Sequence, residues 1–179
     1  MTGVQTCALP ISDGVIRVTG GSTSGEVEPV ILRQDSEYYL TVGSDHTDRD
    51  LERSDIHGSK AVCPKPVASA VVPLGTDLAS AGWDHMTVAS TVDGNPYQSG
   101  TVSSLRHPAD LFDRLTGVVG AVTDDFALFC GTVPLIGPKF VFGAAWTVQL
   151  GLLDGKELTH AYEAKSGSLL PGCAPSGSR

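Results

Sequence analysis

Several features that mark particular protein classes are missing from this sequence. No apolar run approaches the roughly 20 residues that a membrane-spanning helix needs. The first residues have neither the basic start nor the apolar core of a signal peptide. The four cysteines are scattered without a CxxC pair, a usage that is typical of a reducing cytoplasm and gives no zinc signature. The chain has only 12 basic residues and 20 acidic ones. This excess of negative charge argues against nucleic-acid and anionic-membrane partners.

The residues that are present predict a protein that is mainly β, of the α+β class, with a few short helices. At 179 residues the chain is long enough for one domain with a hydrophobic core. The stretches EVEPVILR (26–33) and EYYLTVG (37–43) are typical strands, and the short connection QDS between them predicts a hairpin. Pro29 inside the first stretch suggests a strand at the edge of a sheet or a bulge. Two short helices are expected, one capped by Asp48 and one with Pro108 in its first turn.

Three carboxylates are predicted to converge at the open end of this hairpin. Side chains two residues apart on a strand share a face, so Glu26 and Glu28 project together. A turn at QDS pairs residues whose numbers sum to about 71, which places Asp45 opposite Glu26. Such a cluster suits Mg²⁺ or Mn²⁺. The alternative is that both glutamates line the solvent face of an edge strand. His46, the nearest imidazole, is a candidate catalytic group or a residue that only packs or caps.

Five motifs follow one another in the order found in a known superfamily. They are an E-x-E strand (26–28), a D-x-x-x-R-D turn (45–50), a lysine followed by C-P (60–64), a Q-x-G-T segment (98–101) and a G-T loop (131–132). Over about residues 22–163 the chain therefore resembles the fumarylacetoacetase (fumarylacetoacetate hydrolase) superfamily, in one of its uncharacterised bacterial branches. The resemblance implies a mixed β-roll of the fumarylacetoacetase C-terminal-like type. It also implies a Mg²⁺ or Mn²⁺ site with Glu26, Glu28 and Asp45 as ligands.

The resemblance assigns roles to further residues. Lys60 matches the lysine that contacts substrate oxygens, although its spacing from Asp45 is shorter than usual. Gln98 and Thr132 match positions that face substrate oxygens. Arg49 matches a segment in which it would contact substrate or brace the ligand turn by an ion pair.

The implied function is metal-dependent hydrolase or lyase chemistry on a small oxo-acid, such as C–C bond hydrolysis, decarboxylation or related enolate chemistry, in a cytoplasmic homodimer. One departure opens an alternative. The superfamily activates water with a His–Glu pair, and its late-strand glutamate falls near Gln149, which cannot act as a base. A non-catalytic domain that binds a metal or a small molecule therefore remains open, as does an inactive truncated fragment.

The chain is expected to divide into three parts. Residues 1–11 resemble the translation of a short-read sequencing adapter, so we expect them to be an artefact of gene assembly. Residues 12–165 are expected to form a fumarylacetoacetase-like catalytic domain that lacks part of its N-terminus. Residues 166–179 have the composition of a linker and are expected to be a flexible tail.

Overall fold

The computed structural model describes residues 10–11 and 14–167, which form mainly β-strands with short helices. The predictions for residues 1–11 and 166–179 concern stretches that lie largely outside the described residues. The strands are β1 (Pro10–Ile11), β2 (Val15–Val18), β3 (Thr23–Ser24), β4 (Val27–Gln34), β5 (Glu37–Ser44), β6 (Thr47–Asp48), β7 (Lys65–Pro66), β8 (Val72–Gly75), β9 (Thr87–Val92), β10 (Asn95–Thr101), β11 (Phe126–Phe129), β12 (Ala145–Gly151) and β13 (Glu157–Ser166). The α-helices are α1 (Arg49–Glu52), α2 (Ile56–Ala61) and α3 (Pro108–Val119), and single turns of 3₁₀-helix span Leu78–Ser80 and Val102–Ser104.

Two larger sheets pack against each other to form the domain. One has the strand order β10-β9-β12-β13-β2, in which only the β13–β2 pair is parallel. The other is antiparallel throughout, with the order β11-β4-β5-β8. The predicted mainly β class is confirmed. β1 and β7 form a parallel pair, and β3 and β6 an antiparallel pair beside the hairpin.

The main hydrophobic core lies between the two sheets. Side chains from β4 and β5, among them Ile31 and Leu40, meet side chains from β9 and β12, such as Val88 and Leu150. All four side chains are almost completely buried. Burying this apolar surface is the principal favourable contribution to folding. The core therefore provides a rigid base for the end of the β4–β5 hairpin.

The helices begin where the sequence predicts, whereas Pro29 does not occupy the edge or bulge that was expected for it. α3 begins at Pro108, where a missing N–H costs no hydrogen bond, and Asp48 caps α1 by accepting from the N–H groups of Asp50 and Leu51. The edge or bulge expected at Pro29 is wrong, because β4 lies between β11 and β5 and pairs with β5 without a bulge. Proline is tolerated there because it stands at the end of the β11 ladder, where its carbonyl still accepts from the N–H of Cys130 at 3.0 Å and only its own N–H is missing.

None of the helices in the described part of the chain has the length and apolar character needed to span a bilayer.

Candidate metal centre

The β4–β5 hairpin sets the position of the predicted carboxylates. Its turn consists of Asp35 and Ser36, both with positive φ angles (50° and 70°), which is the backbone form of a tight two-residue hairpin. The pairs run from Gln34↔Glu37 to Val27↔Ser44 without a shift. Beyond the last pair, the N–H of Asp45 donates to the carbonyl of Glu26 at 2.9 Å. The register predicted from the sequence is therefore confirmed.

Glu26, Glu28 and Asp45 form a compact acidic cluster at this end of the hairpin. One carboxylate oxygen from each residue lies within 4.8 Å of those from the other two. Glu28 and Asp45 are buried, and Glu26 is partly exposed. Three converging carboxylates are the donor set that a hard divalent cation such as Mg²⁺ takes in proteins. The residues present therefore fit a divalent metal ion.

Asp45 is held by two lysines of different exposure. The ammonium group of Lys60 contacts one carboxylate oxygen, and that of Lys65 lies 2.8 Å from the other. The side chain of Lys65 is only 2% exposed and that of Lys60 is 25% exposed, so only Lys60 has access to solvent. Burial alone would raise the pKa of Asp45, but the two ammonium groups hold it below its ordinary value.

Lys65 is a residue of the site that sequence reasoning missed. Its Nζ also donates to the carbonyl of His46 at 2.6 Å, so one ammonium group holds both the Asp45 carboxylate and the backbone of the next residue. Burial lowers the pKa of Lys65, while Asp45 acts in the opposite direction. The only local signal was its position between two prolines in CPKP (63–66), and that pattern does not reveal which of two nearby lysines is buried.

Glu28 receives a main-chain donor from the loop after β11. The N–H of Gly131 donates to Glu28 Oε2 at 2.7 Å. Gly131 has a φ of 100°, a conformation that favours glycine and here directs its amide at the carboxylate. Burial, followed by repulsion from Asp45, raises the pKa of Glu28 to about 8. A bound cation would oppose both effects and favour the ionised form of Glu28.

Arg49 braces Glu26 from the start of α1. Its Nη2 lies 3.2 Å from Glu26 Oε1, and its Nε donates to the hydroxyl of Ser24 at 2.7 Å. The guanidinium also lies 4.1 Å from the ring centre of Phe140, which is a cation–π contact. Burial raises the pKa of Glu26, and Arg49 opposes that rise. The expected ion pair of Arg49 therefore forms with a carboxylate of the cluster.

Gln98 and Thr132 lie next to the cluster and bond to the strand that carries it. Gln98 Oε1 accepts from the main-chain N–H of Val27 at 2.9 Å, and Gln98 Nε2 donates to Thr132 Oγ1 at 2.8 Å. Thr132 Oγ1 in turn donates to the carbonyl of Val27 at 2.8 Å. Gln98 is buried, whereas Thr132 is partly exposed. Both residues predicted to face substrate are thus close to the site, with their polar atoms engaged inside the protein.

His46 lies on the opposite side of the chain from Asp45. It is fully buried, with its ring edge-on to Trp146 and Tyr162. Its Nδ1 lies 3.1 Å from the hydroxyl of Tyr162, and its Nε2 lies 3.0 Å from the hydroxyl of Thr23. Burial, then the nearby cations, lower its pKa to about 3. The structure therefore places His46 as a neutral packing residue, which is the second of the two roles expected for it.

Gln149, at the position of the expected glutamate, also lies outside the cluster. Its side-chain amide donates to Glu157 at 2.8 Å, between neighbouring strands at an exposed place. Two surface cavities, of about 310 and 510 Å³, are lined by other residues than the three carboxylates. The cluster is open to solvent at Glu26 and beside Lys60, whose side chains are 16% and 25% exposed.

Comparison with known proteins shows a family that matches this chain in sequence and solved structures that match it in fold. A family model described as "Protein of unknown function (DUF2848)" matches residues 3–162, and that match begins inside the stretch expected to be an adapter artefact. A search of curated protein sequences gave no match.

Solved structures match the fold over most of the chain. A 2-keto-3-deoxy-D-arabinonate dehydratase complexed with magnesium and 2,5-dioxopentanoate has 15% sequence identity, a TM-score of 0.58 and coverage of 91% of this chain and 58% of its own. The apo form of that enzyme has 14% identity, a TM-score of 0.61, and coverage of 87% and 57%. A yeast fumarylacetoacetate hydrolase family protein has 14% identity, a TM-score of 0.52, and coverage of 90% and 72%. The chain thus spans less than three fifths of the dehydratase chains. These likenesses support the expected fumarylacetoacetate hydrolase superfamily fold.

Proposed function

The chain belongs to the DUF2848 family of proteins of unknown function, and we propose that it is a divalent-metal-dependent enzyme acting on a small oxo-acid. The observation that carries the proposal is the convergence of Glu26, Glu28 and Asp45 within 4.8 Å, with a lysine beside them. The dehydratase structure of the same fold, which contains magnesium and 2,5-dioxopentanoate, adds support for the class of ion and ligand.

In this proposal the three carboxylates hold Mg²⁺ or Mn²⁺. The chemistry that such an ion supplies when bound is Lewis-acid stabilisation of negative charge on neighbouring substrate oxygens. Hydrolysis or cleavage of a C–C bond, decarboxylation and related enolate reactions of oxo-acids all need this stabilisation.

The exposure of the charged residues around the carboxylates indicates which of them contact substrate and which support the metal ligands. Lys60 is partly exposed beside Asp45, so its ammonium group is available to a substrate oxygen or carboxylate. Lys65 is buried and keeps Asp45 ionised and in place. Arg49 keeps Glu26 paired and oriented. We assign substrate contact to Lys60 and support of the ligands to Lys65 and Arg49.

The second candidate is a metal- or small-molecule-binding domain without catalysis. His46, which sequence adjacency suggested as a water-activating group, is buried with both ring nitrogens bonded, and Gln149 lies in another sheet. These positions favour binding without turnover, because both side chains are hydrogen-bonded to groups outside the cluster.

We also propose, from the resemblance, that the protein is a cytoplasmic homodimer. The free, buried thiols of Cys63 and Cys130 support the reducing compartment. Sedimentation of the purified protein measures the oligomeric state directly.

The metal site is tested by calorimetric titration of Mn²⁺ into the purified protein and into Glu28→Gln. Glu37→Gln, at the turn end of the same hairpin, is the matched control, because it removes a carboxylate outside the cluster. We expect about one ion per chain for the wild type and the control. Binding by Glu28→Gln should be weaker by at least the roughly 10–100-fold that losing an outer-shell partner costs. Circular dichroism establishes first that all three proteins are folded.

Two results would count against the proposal in different ways. No saturable Mn²⁺ binding by the folded wild type would reject the metal centre. Stoichiometric binding without turnover of any of a panel of 2-oxo acids would favour the non-catalytic domain.

A further inference from the structure

Val27 separates the two glutamates of the cluster, and side chains hold both polar groups of its backbone. Its N–H donates to Gln98 Oε1 at 2.9 Å, and its carbonyl accepts from Thr132 Oγ1 at 2.8 Å. Elsewhere along β4 a neighbouring strand provides such partners, but on the β11 side the main-chain contacts end at Pro29, whose carbonyl accepts from the N–H of Cys130. Gln98 and Thr132 therefore take the place of a strand where the ligand residues lie.

Gln98 is well suited to this task because its amide group is fully engaged. Besides Val27, its Oε1 accepts from the hydroxyl of Ser90 at 3.1 Å. Its Nε2 donates to Thr132 Oγ1 and to the carbonyl of Val133, at 2.8 and 2.7 Å. A side-chain amide has two donor hydrogens and an oxygen with two lone pairs, so each has a partner here. The orientation of the amide is also fixed, because a main-chain N–H faces one end and a carbonyl the other.

The network links three separate parts of the fold. Gln98 lies in β10 and Ser90 in β9, both in the five-stranded sheet, whereas Val27 begins β4 in the four-stranded sheet. Thr132 lies in the loop after β11, next to Gly131, which donates to Glu28. The same loop thus binds the backbone between the ligands and one of the ligands itself.

We propose that Gln98 and Thr132 are positioning residues that fix the Glu26–Val27–Glu28 backbone for metal binding. This inference rests on the proposed function. Mg²⁺ and Mn²⁺ sites need several oxygens close to ideal geometry, at about 2.0–2.1 Å for Mg²⁺. Glu26 and Glu28 are joined through a single residue, so a rotation of the Val27 peptide groups moves both carboxylates. Holding that residue at both of its polar groups preorganises two ligands at once.

The test compares Mn²⁺ affinity with thermal stability in three variants. Thr132→Val keeps the shape of the side chain and removes the hydroxyl that binds Val27, so the dissociation constant is expected to rise about 10–100-fold. Thr132→Ser restores the hydroxyl and should restore affinity. Ser90→Ala is the matched control, because it removes a bond to the same Gln98 oxygen without removing a contact to Val27. We expect it to lower the melting temperature while leaving the dissociation constant within about threefold of the wild type.

Amide hydrogen exchange of Val27 in the metal-free wild type tests the proposal without any variant. If the backbone is already fixed before the ion binds, the Val27 amide should exchange slowly and Mn²⁺ should change its rate little. Rapid exchange that becomes slow only when Mn²⁺ is added would overturn the proposal. Unchanged affinity in Thr132→Val, beside normal binding by the wild type, would overturn this inference alone. If the folded wild type binds no Mn²⁺, the proposed function fails and this inference with it.

Discussion

Replacing Lys65 with methionine should destabilise the protein far more than the same change at Lys60. Both ammonium groups contact the carboxylate of Asp45, but Lys65 is 2% exposed and Lys60 is 25% exposed. Methionine has nearly the length of lysine without its charge. Lys65→Met therefore leaves a buried carboxylate with its main counter-charge removed, and it also removes the donor to the carbonyl of His46.

The expected cost follows from that burial. Removing one partner of a buried ion pair costs about 3–5 kcal/mol. For a chain of this size, about 2–4 °C of melting temperature is lost per kcal/mol, so Lys65→Met should melt about 6–20 °C lower. Lys60 retains contact with water, and its loss should cost no more than about 1 kcal/mol.

Urea denaturation with EDTA present, followed by circular dichroism, measures both variants without any contribution from bound metal. The double variant Lys65→Met/Asp45→Asn also removes the unpaired negative charge of Asp45. It should recover at least half of the stability lost in Lys65→Met. The reasoning is refuted if Lys65→Met and Lys60→Met differ by less than about 1 kcal/mol, or if the double variant recovers nothing.

Two further predictions concern buried groups that are not expected to bind the metal. His46→Leu removes the partner of the Thr23 hydroxyl and one partner of the Tyr162 hydroxyl, so it should lower the free energy of unfolding by about 2–4 kcal/mol. Unchanged stability in urea would contradict this packing role. Burial raises the pKa of Cys63 to about 11 and that of Cys130 further, so both thiols should resist N-ethylmaleimide at pH 7.5 until urea unfolds the chain. Peptide mass spectrometry follows each cysteine separately, and rapid labelling of either in the native protein would contradict the burial.

The carboxylate cluster could be predicted because hairpin geometry is local. A two-residue turn fixes every pair along two strands, and the alternation of side chains then fixes which residues share a face. Asp35 and Ser36 occupy that turn, so the position of Asp45 opposite Glu26 followed from counting.

The same alternation explains why His46 takes the packing role, one of the two that the sequence left open for it. Neighbouring residues of an extended chain point to opposite faces, so adjacency to Asp45 directs the imidazole away from the cluster. Ser44 and His46 accordingly share a contact, the hydroxyl of Tyr162.

Contacts between residues far apart in the chain could not be predicted, for a different reason. Three features depend on strands that are distant in the chain. They are the burial of Lys65, the position of Pro29 beside the end of a ladder, and the contacts of Gln98 and Thr132 with Val27. No local pattern encodes which distant strand becomes the neighbour. The fold class was nevertheless predictable, because it depends on repeated local patterns rather than on one contact.

The parallel pairing of β2 with β13 has a consequence for the order in which the chain folds during synthesis. β2 is made early but pairs with Glu163–Ser166, so the five-stranded sheet stays incomplete until nearly all of the described chain has left the ribosome. The pairing of β4 with β5 is local and can begin long before. A ribosome that stalls after β12 would thus display a formed carboxylate hairpin beside unpaired strand edges. Slow translation of the last strand should expose the nascent protein to aggregation and to chaperones.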